Sequence, residues 1–417
     1  MESSSSSWPG DHRRPPGWQD RALPATRAPY FAQLWLSGFL WNVTRWMAIF
    51  LGSYLVNDLA GSPFLVQLVG GVFFAPMFFG GALAGVISDR FERRLTTLVT
   101  LGVLTVASVA MSAVVLAGAV ETWMVYPFVL TVGTGGVVDL TVRRTLIYDV
   151  VGDARITNAL SLEALSSSTA NMVGAVTGGA IISLIGIGEA FSLIALCYAG
   201  AFLLLLAMRA PVVERRTGQG SIMEELREGV RFVSADPALV SLMGVTVLVN
   251  LFYFSHLPSV PVFAERLGVS PLLTGLLASG AGIGMVIGSL VLSVTDARRR
   301  GAIYIGGSLV ALVALLGFAA SSWYPLALGG LMVAGVGVSG FAAMQSVLVM
   351  VAAEPEMRGR AMGVLSMAIG ALPLGMLALG LAAEGIGTPP AVGLSAVAGL
   401  AAMAVWILWR PQSLRMR

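Results

Sequence analysis

The stretch "GVISDRFERR", residues 85–94, places two acidic residues and three arginines between two long uncharged segments. Neither the preceding segment, 65–84, nor the following one, 95–118, contains a charged side chain. An α-helix needs about 20 apolar residues to cross the ~30 Å hydrocarbon layer of a bilayer, and both segments reach this length. The stretch is therefore predicted to be a short polar turn between two transmembrane helices.

The composition of the whole chain agrees with this interpretation. Of its 417 residues, 56% are hydrophobic and 11% are charged, whereas an ordinary soluble domain has roughly 25% charged residues. Apolar runs long enough to span a bilayer recur along the entire sequence. We therefore predict an all-α membrane protein, because a soluble protein with a large apolar core would not need such long runs.

The missing residue types exclude several kinds of chemistry. All 25 basic residues are arginine, so the chain lacks the lysine that a P-loop ATPase or a pyridoxal enzyme requires. The single cysteine, Cys197, excludes an intrachain disulfide, and two histidines add little toward a zinc site. We expect no enzymatic activity, no cofactor, no metal site and no nucleic-acid partner.

The apolar runs predict twelve membrane spans. They lie near 31–56, 65–88, 96–118, 123–147, 157–184, 190–208, 238–257, 272–295, 302–321, 323–350, 361–382 and 390–409. With a cytoplasmic N-terminus, 23 of the 25 arginines lie on the cytoplasmic side, Arg45 lies within a span and Arg266 lies outside. The positive-inside rule therefore predicts a multi-pass protein of the cell (inner) membrane with both termini in the cytoplasm.

The same pattern divides the chain into five parts. They are a disordered cytoplasmic N-tail (1–29), a six-helix bundle (30–208), a cytoplasmic linker (209–237), a second six-helix bundle (238–410) and a cytoplasmic C-tail (411–417). In the linker, Ser221 and Glu224 form a capping-box pattern. The apolar residues that follow fall on one face of a helix: Ile222, Leu226, Val230 and Val233. The linker helix is predicted to lie on the inner membrane surface.

The charged stretch also resembles a family signature. Gly85, Asp89, Arg90, Arg93 and Arg94 are similar to the motif G-x-x-x-D-R-x-G-R-R that follows the second span in the major facilitator superfamily (MFS), with Glu92 in place of its second glycine. Together with 58–64, 224–235 and 353–363, the chain resembles the branch that includes drug and siderophore exporters. The resemblance implies two six-helix bundles related by a pseudo-two-fold axis, a monomer, and rocker-switch transport of a small molecule.

The resemblance further implies a conformational latch on the cytoplasmic side. In the family, the aspartate of the motif meets the arginine four residues later and an acid at the end of the fourth span, here Asp89, Arg93 and Asp149. The latch faces the helix that begins near Arg360. In the fifth span, Gly174, Gly178 and Gly179 of "NMVGAVTGG" resemble the antiporter signature G-P-x-x-G-G, with Ala175 in place of proline.

Ionisable residues within spans are costly and are therefore candidates for a functional site. Arg45, Asp139 and Glu163 are of this kind. Asp139 has two candidate partners, Arg45 and Arg143, the second one helical turn away. Glu163 either lines the pathway or belongs to a stripe of small and polar residues that allows close helix packing.

Further polar residues complete the predicted proton and substrate path, and each has a structural alternative. They are Asn42, Asn171, Asn250, Tyr253 and Gln345. In this family such residues line a central cavity, but each could equally form an interhelical hydrogen bond. A broad apolar cavity with few charges suits hydrophobic or amphipathic molecules.

The favoured functional hypothesis is proton-coupled efflux of drug-like or siderophore-like molecules, with Asp139 or Glu163 as proton carrier. The alternatives are an uptake carrier or a lipid translocator on the same scaffold. A membrane sensor or scaffold without transport activity is the third hypothesis.

Overall fold

The structure is a computed structural model that describes residues 24–90, 92–152, 155–208, 222–294, 299–354 and 357–412. Within these ranges the side chains of Pro24, 79–90, Leu140, 222–226 and Val294 are not described.

The described residues are almost entirely helical. The α-helices are α1 Phe31–Ala60, α2 Pro63–Arg90, α3 Arg93–Leu116, α4 Thr122–Val151, α5 Ile156–Leu184, α6 Ile187–Leu206, α7 Ile222–Ala235, α8 Pro237–Phe252, α9 Val260–Arg266, α10 Pro271–Val294, α11 Arg300–Ala320, α12 Tyr324–Ala352, α13 Arg358–Ile369, α14 Leu372–Ile386 and α15 Thr388–Trp409. Short 3₁₀-helices cover Pro24–Arg27 and Phe254–Ser259.

In the described part of the chain, nine helical segments are long and apolar enough to cross a membrane. They are α3, α4, α6, α8 with α9 (Pro237–Arg266), α10, α11, α12, α13 with α14 (Arg358–Ile386), and α15. Of α2, the stretch Pro63–Phe78 is a shorter apolar helix. Helices α1 and α5 are as long as the nine but fall outside this set, and they contain Asn42, Arg45, Glu163 and Asn171. The multi-pass membrane architecture is thus confirmed, and the number of twelve crossings stays a prediction.

Two predicted spans are interrupted where the sequence contains proline. The seventh, predicted to end at residue 257, passes from α8 through a 3₁₀-helix that contains Pro258, and it continues in α9 to Arg266. The eleventh changes from α13 to α14 two residues before Pro373. Because proline has no N–H donor and clashes with the preceding turn, it favours such breaks.

Local sequence also sets the ends of individual helices. The side chain of Asp236 accepts hydrogen bonds from the backbone N–H groups of Ala238 (2.7 Å) and Leu239 (3.2 Å), and Pro237 occupies the first turn of α8. Helix α1 ends at Gly61, which adopts φ 59° and donates its N–H to the Asn57 carbonyl oxygen. A residue with a side chain would be strained in this left-handed conformation.

The buried apolar side chains form two clusters. The first is built by α1–α6, here called the N-terminal half, with Leu372 and Met376 of α14 added. The second is built by α8–α15, the C-terminal half, with Val233 of α7 added. The halves meet mainly along two helix pairs, α5 with α10 and α2 with α14. Glycine permits the first contact: a Cβ on Gly282 would lie 2.6 Å from Oδ1 of Asn171.

Hydrogen bonds join the halves where α1 ends and α2 begins, which is the predicted extracellular end. Asn57 Nδ2 donates to Oε2 of Glu265 (2.6 Å). Oε2 of Glu384 accepts from Ser62 Oγ (3.0 Å) and from the backbone N–H of Phe64 (3.1 Å). These contacts link the two halves at this end.

Candidate functional site

The most deeply buried charges in the described part of the N-terminal half form one ion pair. Arg143 donates from Nε to Oδ2 of Asp139 (2.7 Å) and from Nη2 to Oδ1 (2.6 Å), and both side chains are at most 3% exposed. Nη1 of Arg143 also donates to the Leu34 carbonyl oxygen (3.1 Å), which ties α4 to α1. Of the two partners considered for Asp139, the structure thus selects Arg143, because the one-turn spacing on α4 aligns the guanidinium with both carboxylate oxygens.

Glu163 on α5 lies beside this pair and is much less well bonded. Its Oε1 accepts a long hydrogen bond from Asn42 Nδ2 (3.4 Å), whereas its Oε2 is buried without a donor. Gly38 lies between Glu163 and Arg143, since a Cβ there would be 3.3 Å from Arg143 Nη1 and 3.4 Å from Glu163 Oε2. The structure therefore groups Asn42, Asp139 and Glu163 in one polar cluster with Arg143.

Arg45, halfway along α1, is surrounded by aromatic rings. Its Cζ lies 5.6 Å from the ring centroid of Trp41, 5.4 Å from that of Trp46 and 5.7 Å from that of Phe73. Its Nε is buried and has no hydrogen-bond partner among the described residues. Cation–π attraction of this kind contributes about 0.5–2 kcal/mol per contact, so the rings hold the guanidinium without neutralising it.

A cavity of about 200 Å³ lies between the two halves. The N-terminal half contributes Trp46, Phe50, Ser53 and Asn171, and the C-terminal half contributes Tyr253, Phe254, Leu257 and Met285, among others. The lining is mostly apolar with a few polar groups, as is typical of small-molecule sites.

The remaining two predicted path residues lie inside the C-terminal half. Asn250 Nδ2 donates to the Thr246 carbonyl oxygen (2.9 Å), and Gln345 Nε2 donates to Thr246 Oγ1 (3.1 Å). Thr246 Oγ1 also pairs with the Tyr304 hydroxyl (2.8 Å). For Gln345 the structure thus shows the interhelical alternative, whereas Asn250 bonds within its own helix α8. Neither residue lines the cavity described above.

On the predicted cytoplasmic side, one ion pair of the expected latch is present. Arg93 Nη1 donates to both oxygens of Asp149 (2.8 and 2.7 Å), and Arg94 Nη2 donates to the Leu206 carbonyl oxygen (2.9 Å). For Gly85, Asp89 and Arg90 the structure describes only the backbone. Arg360, at the start of α13, forms an ion pair with Glu228 of α7 (2.8 Å).

Comparison with known proteins identifies the family. Residues 22–415 match the family MFS_3, described as "Transmembrane secretion effector". The chain belongs to the MFS transporter family. It is also 24% identical over 251 residues to the uncharacterized MFS-type transporter YfiS of Bacillus subtilis (strain 168), an alignment that spans 57% of that protein.

Solved MFS-like structures have the same fold. A bacterial homologue of the human lysosomal transporter Spinster, in an inward-facing and unoccupied conformation, superposes with a TM-score of 0.72 at 17% identity, covering 93% of this chain and 97% of that one. The nucleoside transporter NupG gives 0.68 at 16% identity, covering 91% and 98%. A peptide transporter POT with sulfate gives 0.71 at 11% identity, covering 94% and 98%. Family and fold thus define a multi-pass membrane transporter of the MFS type.

In this MFS transporter the glycines of the antiporter-like signature are packing residues. A Cβ on Gly174 would lie 2.7 Å from the Val43 carbonyl oxygen of α1, and one on Gly178 would lie 3.1 Å from the Phe50 ring. A Cβ on Gly179 would meet Gly275 of α10 at 3.0 Å, across the boundary between the halves. The three glycines thus set how closely α5 approaches both neighbours.

Sequence reasoning did not find three features of this MFS transporter's site. Trp41 and Trp46 around Arg45 were missed, although the spacing W-x-x-x-R places Trp41 one helical turn from Arg45 and Trp46 follows Arg45 directly. Arg143 was counted among the cytoplasmic arginines, yet it is 2% exposed. The contacts of Glu265 and Glu384 between the halves leave no local pattern in the sequence.

Proposed function

We propose that this protein is a secondary transporter that exports hydrophobic or amphipathic small molecules in exchange for protons. Twelve spans in two bundles, 30–208 and 238–410, rock about the central cavity, with both termini in the cytoplasm and the linker 209–237 between the bundles. The observation that carries the proposal is the largely apolar cavity of about 200 Å³ lined by residues of both halves. The description of its family as a secretion effector supports export over uptake.

Of the two candidate proton carriers, the geometry favours Glu163. Asp139 is held through both oxygens by Arg143, and removing one partner of a buried ion pair costs about 3–5 kcal/mol. Glu163 Oε2 is buried without a donor, and a proton there removes the cost of a buried negative charge. Glu163 of α5 accepts a hydrogen bond from Asn42 of α1, and Asn171, also on α5, lines the cavity. Proton binding and substrate binding are therefore coupled through α1 and α5.

The cytoplasmic ion pair fits the same cycle. Arg93 is 30% and Asp149 is 9% exposed, so water reaches this pair and it can be broken at modest cost. We propose that, with Asp89, it forms the latch that stabilises one of the two conformations and opens as the bundles rock.

Transport in proteoliposomes with an imposed pH gradient tests the coupling. The protein is reconstituted, Nile red serves as an amphipathic probe, and wild type is compared with Glu163→Gln. We expect the variant to lose gradient-driven probe movement down to the level of protein-free liposomes. Glu354→Gln is the matched control, because Glu354 is an exposed carboxylate outside the site. Gradient-driven transport that is unchanged in Glu163→Gln would exclude Glu163 as the carrier.

A further inference from the structure

Three N–H donors on consecutive turns of α1 lack an acceptor. Nε of Arg45 and Nε1 of both Trp41 and Trp46 are buried without a hydrogen-bond partner among the described residues. Leaving one buried donor unsatisfied costs about 1–3 kcal/mol, so three on one helix require an explanation.

The other indole groups of the described chain show that this is a local property. Trp35, on the same helix, donates to the Leu162 carbonyl oxygen (3.1 Å), Trp406 donates to the Ser241 carbonyl oxygen (3.1 Å) and Trp123 donates to Glu121 (2.7 Å). Trp323 and Trp409 are 66% and 67% exposed, so water can accept from them. Within the described ranges, only around Arg45 do buried indole donors and a guanidinium all lack acceptors.

The nearby carboxylates do not fill this role. Both oxygens of Asp139 accept from Arg143, and the bonded oxygen of Glu163 accepts from Asn42. Arg45 itself lines a second cavity of about 70 Å³, which reaches Ser366 of the C-terminal half and whose described lining includes no acidic residue. A positive, donor-rich site without its own carboxylate is complementary to an anion.

The two cavities are each lined by one of two neighbouring residues of α1: Arg45 lines the smaller cavity and Trp46 lines the larger one. Trp46 also contacts Arg45. About 70 Å³ is the volume of roughly two water molecules, enough for a carboxylate, whereas about 200 Å³ exceeds a cavity of ~150 Å³ that holds benzene. The pair of cavities thus matches a molecule with a small anionic group and an apolar body of one or two rings.

We propose that Arg45, Trp41 and Trp46 form the binding site for an anionic group of the transported molecule, such as a carboxylate, sulfonate or phosphate. The apolar body of that molecule occupies the larger cavity. The inference rests on the proposed transport function and narrows its substrates from amphipathic molecules in general to amphipathic anions.

Binding of matched anionic and neutral probes tests the inference. Full-length protein in nanodiscs is titrated calorimetrically with 2-naphthoate against 2-naphthamide, and with naphthalene-2-sulfonate against naphthalene-2-sulfonamide. Because a hydrogen bond to a charged group contributes about 1.5–3 kcal/mol, we expect wild type to bind each anion at least about tenfold more tightly than its neutral partner. Equal affinity within both pairs, or no binding of any of the four probes, overturns the inference.

Variants assign the preference to the three residues. Arg45→Gln is expected to bind both members of a pair equally, and Trp46→Phe, which keeps a ring but removes the N–H, to lose a large part of the preference. Arg299→Gln is the charge-matched control, because Arg299 is exposed and distant in sequence from the site. If Arg45→Gln does not elute as a folded species, Arg45→Met and Trp46→Phe decide. An undiminished preference in those variants also overturns the inference.

The same probes separate this inference from the proposed function. If proteoliposomes transport the neutral amides as fast as the anions under a pH gradient, the transporter function stands and the anion site does not. If anions bind with the expected preference but no probe moves, the site stands and the transport proposal fails.

Discussion

At the scale of single residues, the Asp139–Arg143 pair is the most deeply buried ion pair among the described residues. Both side chains are buried, and two short hydrogen bonds join them within one helix. Each buried ion has lost its hydration, and the attraction between the two ions offsets this cost only while both are present. A single substitution therefore leaves an uncompensated buried charge.

Arg143→Met is therefore expected to lower the stability of the protein by about 3–5 kcal/mol. The double substitution Asp139→Leu with Arg143→Met removes both charges and is expected to recover most of this loss. Thermal unfolding in detergent gives the comparison. Arg93→Met is the control, because Arg93 and Asp149 are 30% and 9% exposed and such a pair contributes about 0–1 kcal/mol. A double variant as unstable as the single one would contradict the expectation.

At the scale of helices, the closest approaches between elements depend on glycine. The backbone of α1 passes so near Gly174 of α5 that a Cβ there would lie 2.7 Å from the Val43 carbonyl oxygen. In a membrane, lipid tails are as apolar as the helix surfaces, so helices associate through close packing at small residues such as glycine.

Gly174→Ala is expected to destabilise the protein by about 1–3 kcal/mol, because α5 must move away from α1 to accommodate one methyl group. Gly306→Ala on α11 is the matched control, since nothing lies within 4 Å of the position its Cβ would take. Alanine is the better helix former by about 1 kcal/mol, so this control is expected to be neutral or slightly stabilising. Melting temperatures of the two variants test the pair, and a Gly174→Ala variant as stable as wild type would exclude tight packing there.

How far the sequence predicts this molecule differs between its elements. Each described helix of the bundles except α9 overlaps a predicted span, because a run of about 20 apolar residues has few other uses. The predicted seventh span ended at 257, just before Pro258. The helical segment instead continues through a 3₁₀-helix that contains this proline and reaches Arg266.

The site was less predictable for a physical reason. Which partner Asp139 chooses depends on the direction of side chains between helices, and the i, i+4 spacing only made Arg143 one of two candidates. The buried indole donors of Trp41 and Trp46 cannot be recognised from sequence, because a donor is unsatisfied only in relation to everything that surrounds it.

At the scale of the whole molecule, hydrogen bonds join the N-terminal half to the C-terminal half at the predicted extracellular end. Glu384 bonds to Ser62 and to the backbone of Phe64, and Glu265 bonds to Asn57. All of these bonds are between exposed or half-buried groups, and exposed hydrogen-bonded contacts of this kind can separate at a cost of about 1 kcal/mol each. The alternating access that we propose requires that they do so, since otherwise the central cavity never opens to that side.

Joining Ser62 to Glu384 covalently should therefore stop transport. With Cys197→Ala as background, the chain has no other cysteine, so Ser62→Cys and Glu384→Cys can be linked selectively by a short bifunctional methanethiosulfonate reagent. We expect probe transport in proteoliposomes to fall to the protein-free level after linking and to recover when a reductant cleaves the disulfides. Each single-cysteine variant treated with the same reagent controls for modification alone. Because a molecule closed at this end can still bind from the other side, the linked protein is expected to retain binding of its probes. Loss of probe binding would mean that the linker distorts the cavity. Transport that survives linking would show that this end does not open during the transport cycle.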